Sequence, residues 1–88
     1  MKNIIFEKLK KIVQELESYS ENFFNRDPVD LESLYDPIAN CMDRYKEVKK
    51  LAMKNDLVSD DEYIDLKRQY ENAMHNLYIR ALIVINTD

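Results

Sequence analysis

Apolar residues recur along this chain at the spacing of an α-helix, and this pattern limits the possible folds more than any other feature. The first series runs in alternating steps of four and three residues: Ile5, Leu9, Ile12, Leu16, Tyr19 and Phe23. Such spacing places the side chains on one face of a helix. It predicts a first helix at about residues 3–24.

A second series with the same spacing crosses a proline. It consists of Leu31, Leu34, Ile38, Cys41, Tyr45, Val48 and Ala52. Asp27-Pro28 and Asp36-Pro37 each pair a helix-capping residue with a proline suited to the first helical position. The second helix therefore either starts at Pro28 and kinks at Pro37, or consists of a short helix at about 28–35 and a main helix at 37–54. We favour the break, because proline disfavours the helical conformation at the residue before it.

A third helix is predicted at about residues 60–85. Ser59 and Glu62 have the spacing of a capping box, and Val58 and Tyr63 have that of a hydrophobic staple. The apolar face continues through Tyr63, Leu66, Tyr70, Ala73, Leu77, Ala81 and Val84. The chain contains no glycine, so asparagine is expected as the left-handed residue at the helix ends, at Asn25, Asn55 and Asn86.

These series predict an all-α fold made of one domain, residues 1–88. The short connections between helices favour antiparallel neighbours, and so an up-down-up three-helix bundle. Self-association through the last helix is also expected, for the reason given next.

The segment 77–85 reads LYIRALIVI and is apolar on nearly every side of a helix. The core face accounts for Leu77, Ala81 and Val84. The side chains left over are Tyr78, Ile79, Leu82, Ile83 and Ile85. Two neighbouring helices cannot cover them all, so we predict that these five residues form an oligomer interface or a surface that binds another protein.

Composition and charge exclude several classes of function. With 13 basic and 17 acidic residues the net charge is −4, and no basic face indicates nucleic-acid binding. The absence of glycine excludes phosphate-binding glycine loops, and no apolar run reaches the ~20 residues of a membrane span. A single cysteine indicates a reducing compartment, so we expect a soluble cytoplasmic protein. A composition rich in lysine, asparagine and isoleucine is typical of AT-rich genomes and suggests a bacterium or phage.

The chemically versatile residues do not assemble into a catalytic pattern. His75 and Glu71 have the spacing of two metal ligands, but no further ligand completes a site. The acidic group Asp60, Asp61, Glu62 and Asp65 and the basic group Lys46, Lys49, Lys50 and Lys54 suit the helix ends where they lie. Tyr19, Tyr45 and Tyr70 are expected to form one layer of the core. We therefore predict no catalytic residue, no metal and no cofactor.

Residues 45–78 resemble the helix-loop-helix of the small sporulation-regulator aspartyl-phosphate phosphatases. Where that family has a serine and then leucine-aspartate, this chain has Lys67 and Tyr70-Glu71. We interpret the likeness as a shared hairpin geometry. In size and charge-rich helices the chain is also similar to bacteriocin immunity proteins, which are four-helix bundles.

The sequence thus predicts a small, non-enzymatic helical protein-interaction module, an adaptor or inhibitor that binds another protein and forms a homo-oligomer such as a homodimer. The alternatives are an aspartyl-phosphate phosphatase and a bacteriocin immunity protein.

Overall fold

Three α-helices make up the computed structural model of the protein. It describes the backbone of residues 2–25 and 32–87, and the side chains of residues 2–21 and 35–79. The helices are α1 (Lys2–Asn25), α2 (Glu32–Lys54) and α3 (Asp61–Thr87), and no strand occurs in the described ranges. The all-α prediction is confirmed.

Helix α1 supplies the centre of the core and packs against both α2 and α3. Its apolar face is buried as the spacing predicted. The buried side chains are Ile5, Phe6, Leu9, Ile12, Val13 and Leu16. Tyr19 is half-buried, and Phe23 lies outside the described side chains. Because α1 serves both neighbours, its apolar face is broader than a single helix contact requires.

Helices α2 and α3 complete the core from either side of α1. The buried residues are Cys41, Val48 and Ala52 of α2, and Tyr63, Leu66, Tyr70, Ala73 and Leu77 of α3. The two outer helices meet through large side chains, with the rings of Tyr45 and Tyr70 stacked 3.8 Å apart at their centroids. The α2–α3 side of the molecule is therefore joined by aromatic side chains.

Helix α2 runs without interruption through Pro37, so the break that the sequence favoured is absent. Proline removes one backbone hydrogen bond and restricts the residue before it. The apolar series stays in phase across Pro37, however, and one continuous helix keeps Ile38 against the core beside the buried Cys41. The alternative start at Pro28 lies outside the described residues.

The α2–α3 connection closes α2 with a left-handed residue, which is Asp56 (φ 58°) and not Asn55. The N–H of Asp56 donates to the carbonyl of Met53 (3.3 Å), and the N–H of Leu57 donates to that of Ala52 (2.8 Å). This pair of bonds is the Schellman motif, and Leu57 packs against the core as that motif favours. Of the other predicted end residues, Asn25 is the last residue of α1 and Asn86 is the penultimate residue of α3.

Helix α3 begins with Asp60 as its N-cap, not with the predicted capping box at Ser59. The Asp60 carboxylate accepts hydrogen bonds from the N–H groups of Glu62 (2.9 Å) and Tyr63 (3.4 Å). A carboxylate is both an acceptor and a negative charge at the positive end of the helix, so it is well suited to this position. The predicted staple is also wrong, since Val58 is exposed and Leu57 is the residue that packs inward.

Candidate protein-interaction surfaces

The predicted interface lies towards the end of α3, and the described side chains of this helix end at Ile79. Leu77 is buried, whereas Tyr78 is 64% exposed and Ile79 is 41% exposed. Leu82, Ile83 and Ile85 follow within α3, but their side chains lie outside the described residues. We call these five residues the C-terminal apolar surface. Leu82 and Ile83 lie one helical turn beyond Tyr78 and Ile79.

A second exposed apolar group lies on α2 and was not predicted. Tyr35 is 70% exposed, and Met42, seven residues later on the same face, is also exposed. Ile38 lies half-buried between them. The sequence signal was present, because these residues flank the core series at helical spacing. The same spacing also describes the edge of a core face, so it does not by itself indicate a separate surface.

The tyrosine layer is partly formed. Tyr45 and Tyr70 stack with nearly parallel rings, 9° apart. Burial raises the pKa of both phenols, that of Tyr45 to about 12. Tyr19 does not join this stack, and its pKa is raised first by burial and then by the nearby Cys41 and Glu15. The stack is therefore a contact between α2 and α3, and Tyr70 is not available as an open platform.

A polar cluster joins α1 to α2 around Cys41. The Nη2 atom of Arg44 donates hydrogen bonds to the Glu15 carboxylate and to the Cys41 sulfur, the latter at 3.3 Å. The Cys41 thiol donates to Glu15 Oε2 at 3.6 Å. Sequence analysis missed the cluster because Glu15 lies 29 residues from Arg44 and no local pattern links them.

The chemistry of Cys41 follows from this setting. Burial raises the pKa of its thiol above the usual value, although the hydrogen bond from Arg44 acts in the opposite direction. A buried thiol with a raised pKa is a poor nucleophile, because the thiolate is the reactive form. The cluster therefore works as a contact between helices.

A groove lies between α1 and α2 beside this cluster, with a volume of about 160 Å³. Its lining residues are Lys8, Lys11 and Ile12 of α1, and Arg44, Glu47, Val48 and Leu51 of α2. We call it the α1–α2 groove. Ile12 and Val48 are buried and form its floor, while Lys8, Lys11 and Glu47 are exposed at its rim.

The acidic residues at the start of α3 bind to α1. Lys2 Nζ lies 2.9 Å from Asp60 Oδ2, and Lys10 Nζ lies 3.7 Å from Glu62 Oε1. The hydrogen bond from Lys2 lowers the pKa of Asp60, and it raises that of Lys2. These carboxylates therefore stabilise the N-terminal end of α3 and form ion pairs with α1.

His75 and Glu71 are both exposed on α3. Within the described ranges, no three His, Cys, Asp or Glu side chains come together in a way that could hold a metal ion. The basic residues Lys46, Lys49, Lys50 and Lys54 are exposed on α2. At the positions where the phosphatase family has its motif, Lys67 is half-buried, Tyr70 is buried in the stack and Glu71 is exposed.

Comparisons with known proteins give no relative. No protein-family model matches the chain, and searches of curated proteins and of solved structures also find no match. None of the helices, over the residues described, is long and apolar enough to cross a membrane.

Proposed function

We propose that this chain is a non-enzymatic helical protein-interaction module, an adaptor or inhibitor. Its C-terminal apolar surface packs against a second copy of the chain or docks on another protein. The observation that carries the proposal is the exposure of Tyr78 and Ile79 directly after the buried Leu77. These two residues open the apolar run whose further members are Leu82, Ile83 and Ile85.

Leaving this surface exposed to water forfeits the free energy that burial of its apolar side chains would supply. Burying one leucine or isoleucine side chain stabilises a protein by ~1.5–3 kcal/mol. A small domain is stable by only ~5–15 kcal/mol in total. Covering even Tyr78 and Ile79 would therefore be a substantial gain for a chain of 88 residues. Exposed apolar patches of this kind mark interaction sites in small proteins.

The up-down-up arrangement is part of the proposal, and three contacts support it. The Lys2–Asp60 ion pair joins the first residues of α1 to the start of α3. The Glu15–Arg44 pair links the middle of α1 to the middle of α2, and Tyr45 meets Tyr70. All three contacts are satisfied when α1 and α3 run parallel and α2, which lies between them in the chain, runs antiparallel to both.

This arrangement also brings the two exposed apolar groups to one end of the bundle. Tyr35 lies ten residues before Tyr45, about 15 Å along α2, and Tyr78 lies eight residues after Tyr70, about 12 Å along α3. With α2 and α3 antiparallel, both distances run in the same direction. The apolar area at this end then extends across two helices, which is wide enough to receive a helix from a partner.

A matched pair of substitutions tests the proposal. Ile79→Glu places a charge in the C-terminal apolar surface, and Ile64→Glu makes the same change on α3 at a residue of nearly equal exposure, 40% against 41%. The two positions lie about 22 Å apart along the helix. We expect sedimentation velocity to show association of the parent protein that Ile79→Glu abolishes and Ile64→Glu retains, with helix content unchanged in both.

Two results would contradict the proposal. One is a parent protein that sediments as a monomer at every concentration and binds no apolar dye, since this would mean that no apolar surface awaits a partner. The other is equal weakening of association by both variants, since this would place the interface elsewhere or make the effect one of net charge.

The cellular setting proposed from the sequence is the cytoplasm of a bacterium or the host of a phage. The reducing compartment is proposed because the sequence has a single cysteine, Cys41, which is free and buried.

A further inference from the structure

The α1–α2 groove combines an apolar floor with an excess of positive charge. Three cations, Lys8, Lys11 and Arg44, and one carboxylate, Glu47, line it. The chain as a whole has a net charge of −4, so the groove is opposite in sign to the molecule's total charge. A local charge of opposite sign to the whole molecule attracts partners that the rest of the surface repels.

The rim lysines are not neutralised by the chain itself. Lys2 and Lys10 are held by Asp60 and Glu62, and Arg44 by Glu15. Over the described part of the chain, neither Lys8 nor Lys11 has a carboxylate within 4.0 Å. Both ammonium groups are exposed and remain available to an incoming carboxylate.

Arg44 stands at the end of the groove in a fixed position. Its Nη2 atom is held by Glu15 and Cys41. The Nε atom is buried and has no hydrogen-bond partner among the residues described. About 37% of the side chain is exposed, and its charge is compensated by Glu15, so Arg44 forms a fixed polar wall of the groove.

The volume sets the size of the apolar group that fits. A cavity of ~150 Å³ lined by aliphatic side chains holds one benzene molecule. The groove, at about 160 Å³, thus accepts a single side chain such as leucine or phenylalanine over Ile12 and Val48. From Arg44 to Leu51 it extends two helical turns, about 10 Å. It is therefore too short for a long helix interface and suited to one anchor with its flanking residues.

We propose that the α1–α2 groove binds an acidic helical segment of a partner protein, with one apolar side chain over Ile12 and Val48 and carboxylates on either side paired with Lys8 and Lys11. This inference rests on the proposed function as a protein-binding module, but it uses a surface separate from Tyr78 and Ile79. It names the class of partner: an acidic amphipathic helix with a single large apolar anchor.

The test uses a fluorescent peptide of about 15 residues, the length at which an isolated helix becomes marginally stable. The peptide carries one central leucine with glutamates three and four residues to each side. We expect saturable binding by fluorescence anisotropy, which weakens as salt rises from about 0.1 to 1 M because exposed ion pairs are screened. Replacing the leucine by alanine should weaken binding at least about tenfold, since the burial of one side chain is lost.

Two double variants locate the peptide. Lys8→Glu with Lys11→Glu should weaken binding at least about tenfold, because both rim attractions become repulsions. Lys46→Glu with Lys49→Glu makes the same change in net charge at exposed residues of α2 outside the groove, and should change binding less than about twofold. Circular dichroism checks that both remain helical.

Three outcomes would overturn the proposal: no binding of the leucine peptide, equal binding of the alanine peptide, or equal losses from the two double variants. The proposal would also be overturned if the double variant, Lys8→Glu with Lys11→Glu, and the single variant Ile64→Glu each abolished self-association. That result would make the occupant a second copy, whose exposed Ile64 lies between Asp61 and Asp65.

Failure here and failure of the proposed function are separable. The Ile79→Glu variant should bind the leucine peptide as the parent does, because Ile79 does not line the groove. Peptide binding without self-association would support the groove alone, and self-association without peptide binding would contradict the groove alone.

Discussion

Asp56 occupies the one left-handed backbone position in the part of the chain that the structure describes, with φ of 58°. Aspartate tolerates this conformation better than most residues, but glycine adopts it without a steric penalty. The chain has no glycine, so an acidic side chain closes α2. This one residue fixes the turn geometry that brings Leu57 back onto the core.

Asp56→Gly should therefore stabilise the protein by up to about 1 kcal/mol, the relief of the left-handed strain being partly offset by the greater freedom of glycine when unfolded. Chemical denaturation followed by circular dichroism measures the change. The matched control is Asn55→Gly. Asn55 has no positive φ, and its side-chain amide donates to the Leu51 carbonyl at 2.7 Å, so glycine there should destabilise. A loss of stability for Asp56→Gly would contradict this account of the turn.

The Tyr45–Tyr70 stack is the contact through which the two outer helices meet. The phenol of Tyr45 has a pKa of about 12, raised first by burial and then by the nearby Tyr63. The unfolded chain ionises at the ordinary value of 10.0. Between pH 10 and about 12, the Tyr45 phenol is therefore ionised in the unfolded state and protonated in the folded state.

The stability that Tyr45 contributes should therefore be complete below pH 10 and fall as the pH rises from 10 towards 12. Denaturation midpoints measured across this range should decline for the parent protein. Tyr45→Phe keeps the ring and removes the ionisable group, so its decline should be shallower. Tyr63 and Tyr70, whose pKa values are also raised, account for the rest. Parallel declines in the two proteins would show that Tyr45 ionises normally.

Helical spacing was enough to predict the three helices and nearly all of the core. The details that failed are those decided by tertiary contacts. Asp60 takes the cap that Ser59 was expected to provide, and it also binds Lys2 of α1, a residue that no local pattern relates to it. Likewise α2 continues through Pro37, because packing outweighs a local preference that alone would end the helix.

The interaction surfaces were predictable to different degrees. Tyr78 and Ile79 follow from counting apolar residues against the faces that two neighbours can cover. The α1–α2 groove could not be foreseen, because Lys8 and Lys11 lie more than 30 residues before Arg44 in the chain and no local pattern relates them. Only the packing of α1 on α2 makes Lys11 and Arg44 neighbours in one groove.

The whole molecule combines two surfaces with different chemistry. Exposed tyrosine and aliphatic residues occur on α2 and α3, and a positively charged groove lies between α1 and α2. Under the proposed function, apolar burial supplies the affinity and local charge selects the partner. Both surfaces are built on helices that pack on α1.

We propose above all that a second copy of the chain covers the end of α3. Hydrogen–deuterium exchange of the parent protein, measured from low micromolar to millimolar concentration, tests it most directly. We predict that protection of the backbone amides in residues 78–87 rises with concentration, while that in residues 61–70 stays constant. Protection in residues 78–87 that is the same at every concentration would contradict the claim.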